Sequence, residues 1–226
     1  MFACVALLSL VPAQARGESV IVALGDSLTA GWGVAADEAY PARLEMRLRR
    51  EGYTYRVVNA GVSGDTTAGG LRRVDWVLRA GPEIVIVALG ANDGLRGQSP
   101  HAMRANLETI VARLQTAGAR ILLAGMRMPP NYGAEFTTEF QAVFPAVARS
   151  AKVTLMPFLL DGVAADSRLN QPDGIHPTAA GHEVIDLRAL RPLAMRGLES
   201  WNPDVVRTIH GYDAAVMWKG ARASSA

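Results

Sequence analysis

The six residues "IVIVAL" at Ile84–Leu89 are apolar at every position. A strand with one wet face alternates apolar and polar side chains, so an unbroken run of this kind is covered on both faces, which in a sheet means helices on either side. Four further short, β-rich runs accompany it: Ser19–Leu24, Tyr55–Asn59, Arg120–Gly125 and the less regular Val153–Phe158. Helical patterns separate them. Tyr40, Leu44 and Leu48 recur at i, i+4 and i+8, and Met103, Leu107, Ile110, Val111 and Leu114 form a second stripe, each the buried face of a helix. Gly52 and Gly118 follow these two stripes, where a left-handed closing residue is expected. Strand and helix in alternation predict an α/β fold, a three-layer α/β/α sandwich around five parallel strands. Ligands of such sheets gather beyond the carboxyl ends of the strands.

The 226 residues suit one domain with a substantial core. Half of them are apolar and 19% charged, which excludes a disordered chain. A net charge of +2, with the arginines scattered, excludes an extended nucleic-acid surface. The first fifteen residues, "MFACVALLSLVPAQA", are apolar and uncharged and end in Ala13-Gln14-Ala15, a small-x-small site. They resemble a secretory signal peptide, imperfectly in that no Lys or Arg precedes the apolar run, and a periplasmic or secreted product is expected. The run is well short of the roughly 20 residues a membrane span needs, and no stable membrane insertion is expected. Cys4, the only cysteine, lies inside this segment, leaving no disulfide and no cysteine metal site to expect. Residues 16–200 read as the single domain. Residues 201–226, from Trp201 onward, form an extension without clean periodicity.

Polar, glycine-rich segments follow four of the elements: "GDSLTAGWG" (25–33), "NAGVSGDTTAGG" (59–70), "GANDG" (90–94) and "DGIHPTAAGH" (173–182). A parallel sheet brings such segments to one edge. Ser27 between a strand and a helix suits an N-cap as well as a nucleophile, and residue type alone leaves both open. A serine hydroxyl becomes nucleophilic when a base takes its proton. His176 has the right chemistry for that base, and Asp173, three residues earlier, suits a carboxylate that orients the imidazole. Pro177 restricts His176 to extended backbone. The N–H groups of Ser27 and Gly64 and the amide of Asn92 suit the oxyanion of a tetrahedral intermediate. Each feature alone has a plain alternative: Asp-x-x-His pairs are common in surface loops, Asn92-Asp93-Gly94 composes an ordinary turn, and Gly61 and Gly64 serve turn geometry. His101, His182 and His210 read as structural or solvated. The signal lies in the joint order at the strand ends.

"GDSLTAGWG", "GVSGDT", "GAND" and "DGIHP" resemble the four blocks of the SGNH, or GDSL-type, hydrolase family, over roughly Ser19 to Leu198. The resemblance implies a flavodoxin-like sandwich and a site built from Ser27, Gly64, Asn92 and His176, with Asp173 completing a triad. "GDSLTAG", "GANDGLRG" and "MRMPPNYG" are similar to the bacterial arylesterase, thioesterase I and lysophospholipase branch. That likeness implies an exported enzyme without metal or cofactor, acting on small-molecule esters or thioesters of varied acyl length. It also implies an acyl site shaped by the segments 93–99 and 126–133, with Asp93, Leu95, Met128 and Pro129 as candidate substrate-binding residues, while Asp26 and Asp93 brace the site. Members of the family usually finish with a helix soon after the His block, whereas about 26 residues follow Leu198–Ser200 here.

Other readings keep part of this pattern. A carbohydrate O-acetylesterase would use the same triad, with Trp32 near it for sugar stacking. A domain of this fold that binds without reacting would leave a motif position empty, and all are filled. A phosphate- or nucleotide-binding flavodoxin-like module would use its glycine loops at a helix N-terminus. Against that module, the chain has neither G-x-x-x-x-G-K-[ST] nor G-x-G-x-x-G, and it lacks the G-x-S-x-G elbow of α/β-hydrolases.

Overall fold

Five parallel strands form one sheet in the order β2-β1-β3-β4-β5, in a computed structural model that describes residues 18–195. The expected leader (1–15) and extension (201–226) lie outside the described residues. The strands are β1 (Ser19–Gly25), β2 (Tyr55–Gly61), β3 (Ile84–Ala88), β4 (Arg120–Ala124) and β5 (Thr154–Met156). Four short helices stand near the strand ends: α1 (Ser27–Ala30), α3 (Thr67–Arg72), α4 (Val74–Leu78) and α5 (Ala91–Leu95). Four longer ones make the outer layers: α2 (Tyr40–Arg50), α6 (Pro100–Thr116), α7 (Ala134–Ala151) and α8 (Ala179–Met195). Helix α2 packs on α8, and α6 packs on α3 and α7, so the sheet lies between two helical groups. The order is that of the doubly wound folds whose ligands bind at the strand-order reversal, here around β1 and β3.

Burial follows the apolar pattern. Every residue of β3 is buried, as its unbroken run requires. Tyr40, Leu44 and Leu48 of α2 are fully buried, as are Leu107, Ile110, Val111 and Leu114 of α6. Gly52 and Gly118 take φ of 84° and 87° after those helices, the left-handed closure expected of them. The sheet differs from the sequence pattern at its weak edge, where β5 covers only Thr154–Met156. Pro157 follows, with no N–H to continue the ladder, and the chain resumes contact when the Leu159 N–H donates to Gly125 O at 2.9 Å.

Register positions the site. Gly25 pairs with Gly61 on one side and with Ala88 on the other. Strands β1, β2 and β3 therefore end level, and the segments after them emerge side by side.

Candidate active site

Ser27 is the first residue of α1, immediately beyond β1. The cap of that helix is Asp26, whose Oδ1 accepts the Leu28 N–H at 3.0 Å. Ser27 is thus relieved of capping, and its hydroxyl is available elsewhere. The Oγ lies 3.0 Å from His176 Nε2. On the far side of the ring, Nδ1 lies 2.7 Å from Asp173 Oδ2.

The tautomer follows from the carboxylate. Asp173 Oδ1 accepts the backbone N–H groups of Ile175 and His176, both at 3.0 Å. The backbone and side-chain hydrogen bonds from His176, with the one from Ile175, hold the carboxyl down at about 2. An ionised carboxylate only accepts, so Nδ1 carries the proton and the Nε2 lone pair faces the Ser27 hydroxyl. The arrangement can withdraw a proton from Ser27 and stabilise the imidazolium that results.

Asn92, on α5, points its amide into the same corner. Its Nδ2 donates to Asp65 O at 3.0 Å and, at a longer 3.3 Å, to Asp26 Oδ2. Asp26 is almost fully buried. Desolvation pushes its carboxyl up to about 6, against the Leu28 N–H and the Asn92 amide, which favour the anion. Gly64 takes φ of 80° in the turn closed by the Asp65 N–H to Val62 O, at 3.0 Å, a conformation that strains any side chain. Its carbonyl accepts from Arg96 at 2.8 Å. As the first residue of a helix, Ser27 also has an N–H with no intrahelical partner.

Asp93, expected both as a brace and as a substrate-binding residue, is a buried carboxylate. It is 1% exposed, and its two oxygens accept the Thr67 N–H at 2.8 Å and the Thr67 hydroxyl at 2.6 Å. Such a carboxylate joins α5 to the start of α3 and has no surface to offer a substrate. The two expected acyl segments do meet. Met128 packs over Gly94, the Tyr132 hydroxyl donates to Leu95 O at 3.3 Å, Leu95 is exposed, and so is Pro129. Trp32 is 56% exposed, with its ring centroid 6.2 Å from that of His176. His101 is exposed. His182 is buried, its Nδ1 accepting the Tyr40 N–H at 3.3 Å. His210 lies outside the described residues.

Two residues at the site carry no motif. Arg73 donates to Asp65 Oδ2 through Nε and Nη2, at 2.9 and 2.6 Å, and to the carbonyls of Ala60 and Gly25 at 3.0 and 3.3 Å. Gln171 bridges the Ser27 and His176 loops. Neither has a spacing signal, because each depends on segments that meet only after folding.

A profile of the GDSL-like Lipase/Acylhydrolase family matches residues 23–184. The chain is similar to "Esterase TesA" of Pseudomonas aeruginosa, 43% identical over 78% of this chain and 88% of that protein. It is similar also to "Thioesterase 1/protease 1/lysophospholipase L1" of Escherichia coli K12, 38% identical over 79% of this chain and 85% of that one. Among solved structures, a crystal structure of TesA superposes with a TM-score of 0.75 at 40% identity, covering 77% of this chain and 98% of the other. With its five-stranded parallel sheet and the motif residues gathered at one edge, the chain belongs to the GDSL-like lipase/acylhydrolase family.

Proposed function

We propose that the protein is a serine esterase that hydrolyses carboxylic esters through an acyl-enzyme, with Ser27 as nucleophile, His176 as base and Asp173 as its orienting partner. The observation that carries this reading is the hydrogen-bonded line from Asp173 through His176 to Ser27, which joins side chains 149 residues apart in sequence. As Ser27 Oγ attacks the ester carbonyl, His176 takes its proton, then passes it to the leaving alcohol. Water activated by the same imidazole releases the acid. The oxyanion receives the N–H groups of Ser27 and Gly64 and one N–H of Asn92. That amide exchanges its 3.3 Å bond to Asp26, the longer of its two, for the substrate oxygen.

The exposed apolar side chains Trp32, Val62 and Ile175 in loops, and Leu95 at the end of α5, stand near these residues in the chain, which favours aryl and acyl esters, thioesters or lysophospholipids over a hydrated sugar acetate. Leu95, Met128 and Pro129 line the acyl side. Among the described residues no helix is long and apolar enough to cross a membrane. The apolar first fifteen residues support export to the periplasm or medium.

The test is turnover of p-nitrophenyl esters from acetate to palmitate by wild type and Ser27→Ala, each with and without a chelator. Chelator-insensitive turnover that falls at least about 1,000-fold in the variant is expected. A folded Ser27→Ala that keeps its rate refutes the serine mechanism. Turnover confined to acetate moves the assignment to an O-acetylesterase.

A further inference from the structure

Gln171 stands two residues before Asp173, and its hydrogen bonds run both within its own loop and out of it. Within the loop, its N–H donates to His176 O at 2.7 Å and its carbonyl accepts from Gly174 at 2.9 Å. Its side-chain Nε2 donates to Pro177 O at 2.9 Å and, across the site, to Trp32 O at 2.7 Å. Trp32 in turn donates its N–H to Ser27 O at 3.1 Å. One amide thus connects the backbone just after the base to the backbone just after the nucleophile.

A second observation supports the fit. A Cβ on Gly33 would lie 2.2 Å from Gln171 Oε1 and 2.7 Å from Nε2, and Gly33 has φ of 77°. The loop after α1 has given up a side chain where this amide lies against it. The His176 loop is also in need of an anchor: the Asp173 side chain is 41% exposed, and backbone bonds inside a loop do not fix its distance from a neighbour.

We infer that Gln171 is a positioning residue whose amide straps the base loop to the nucleophile loop and so sets the separation of His176 Nε2 from Ser27 Oγ. It touches no reacting atom. A primary amide suits the task because one nitrogen presents two N–H groups to two carbonyls without bringing a charge beside the Asp173–His176 pair. The inference rests on the serine-esterase reading above.

The variants Gln171→Met, similar in length without donors, and Gln171→Ala, which removes the amide altogether, test it. Each is assayed on the p-nitrophenyl ester that wild type turns over fastest. Rates are expressed per serine titrated to completion with a fluorophosphonate, so that unfolded protein lowers the titre and misalignment lowers the rate. The expected result is a parallel fall in kcat and in the second-order rate of fluorophosphonate labelling, by about tenfold to a hundredfold. That is the scale of displacing a reacting pair by about an ångström. KM should stay within about twofold of wild type. Rates per titrated serine within about twofold of wild type in both variants would overturn the strap, and so would a rise in KM at unchanged kcat, which would place Gln171 in substrate binding. A wild type that neither turns over esters nor takes the label would sink the esterase reading itself, a different failure from an active wild type whose variants are unimpaired.

Discussion

Two buried ionisable side chains near the site pull the stability of the fold in opposite directions as pH changes. Burial raises Asp26 from its ordinary 3.8 to about 6. Between those values the unfolded chain has released the proton and the folded chain keeps it, so stability from this group falls as pH rises. Burial, aided by the charge of Arg43, lowers His182 from 6.5 to about 4. Here the unfolded chain binds the extra proton, so stability rises with pH across that window and is lost as pH falls through it. The two effects offset each other over much of the same range. Relative to wild type, Asp26→Asn should therefore gain stability from about pH 4 to 6, and His182→Gln should lose it, each on the order of 2–3 kcal/mol. Urea midpoints at several pH values measure both slopes. Differences from wild type that stay flat in pH would mean that neither group titrates as its burial dictates.

Among the elements, Arg73 has the largest reach. From the end of α3 it contacts the last residues of β1 and β2 through Gly25 O and Ala60 O, and it pairs with Asp65, whose own carbonyl holds Asn92. Arg73→Met should cost roughly 2–4 kcal/mol, because it leaves a half-buried carboxylate without its charged donor and removes a hydrogen bond from each of two carbonyls. Asp65→Asn combined with it should cost less than the sum of the two, a coupling that a double-mutant cycle in urea reads directly. Such contacts were not legible in the sequence, for a definite reason. The β3 run and the stripes of α2 and α6 could be read because burial imposes its period on the residues. The gathering of Ser27, Asn92, Asp173 and His176 could be read because the acyl-transfer chemistry proposed for them admits few residue types. Helices α1, α3, α4 and α5 span four to six residues, too few to display a period, and they depend on tertiary packing and on caps such as Asp26 and Thr66. Gln171 bonds through its side chain to backbone carbonyls, and Arg73 to two carbonyls and the Asp65 carboxylate; partners of these common types leave no spacing signal, so only the fold picks the two residues out. Asp93 misleads for a related cause: "GANDG" has the composition of a surface turn, and it is the Thr67 N–H and hydroxyl that make burial of the carboxylate acceptable.

On the scale of the whole molecule, β1 lies between β2 and β3, and Ser27, Gly64 and Asn92, which follow these three strands, all belong to the first half of the chain. Asp173 and His176 arrive from beyond β5, across contacts of long sequence separation that fold late. In refolding from urea, recovery of β-sheet signal should precede or accompany fluorophosphonate reactivity of Ser27. Labelling that appears before the sheet would contradict this order. The separation of Ser27 from His176 along the chain has, on the proposed mechanism, a further consequence during synthesis. A chain made from its N-terminus carries Ser27, Gly64 and Asn92 well before His176. A copy broken off before residue 176 would then hold the proposed nucleophile without its base.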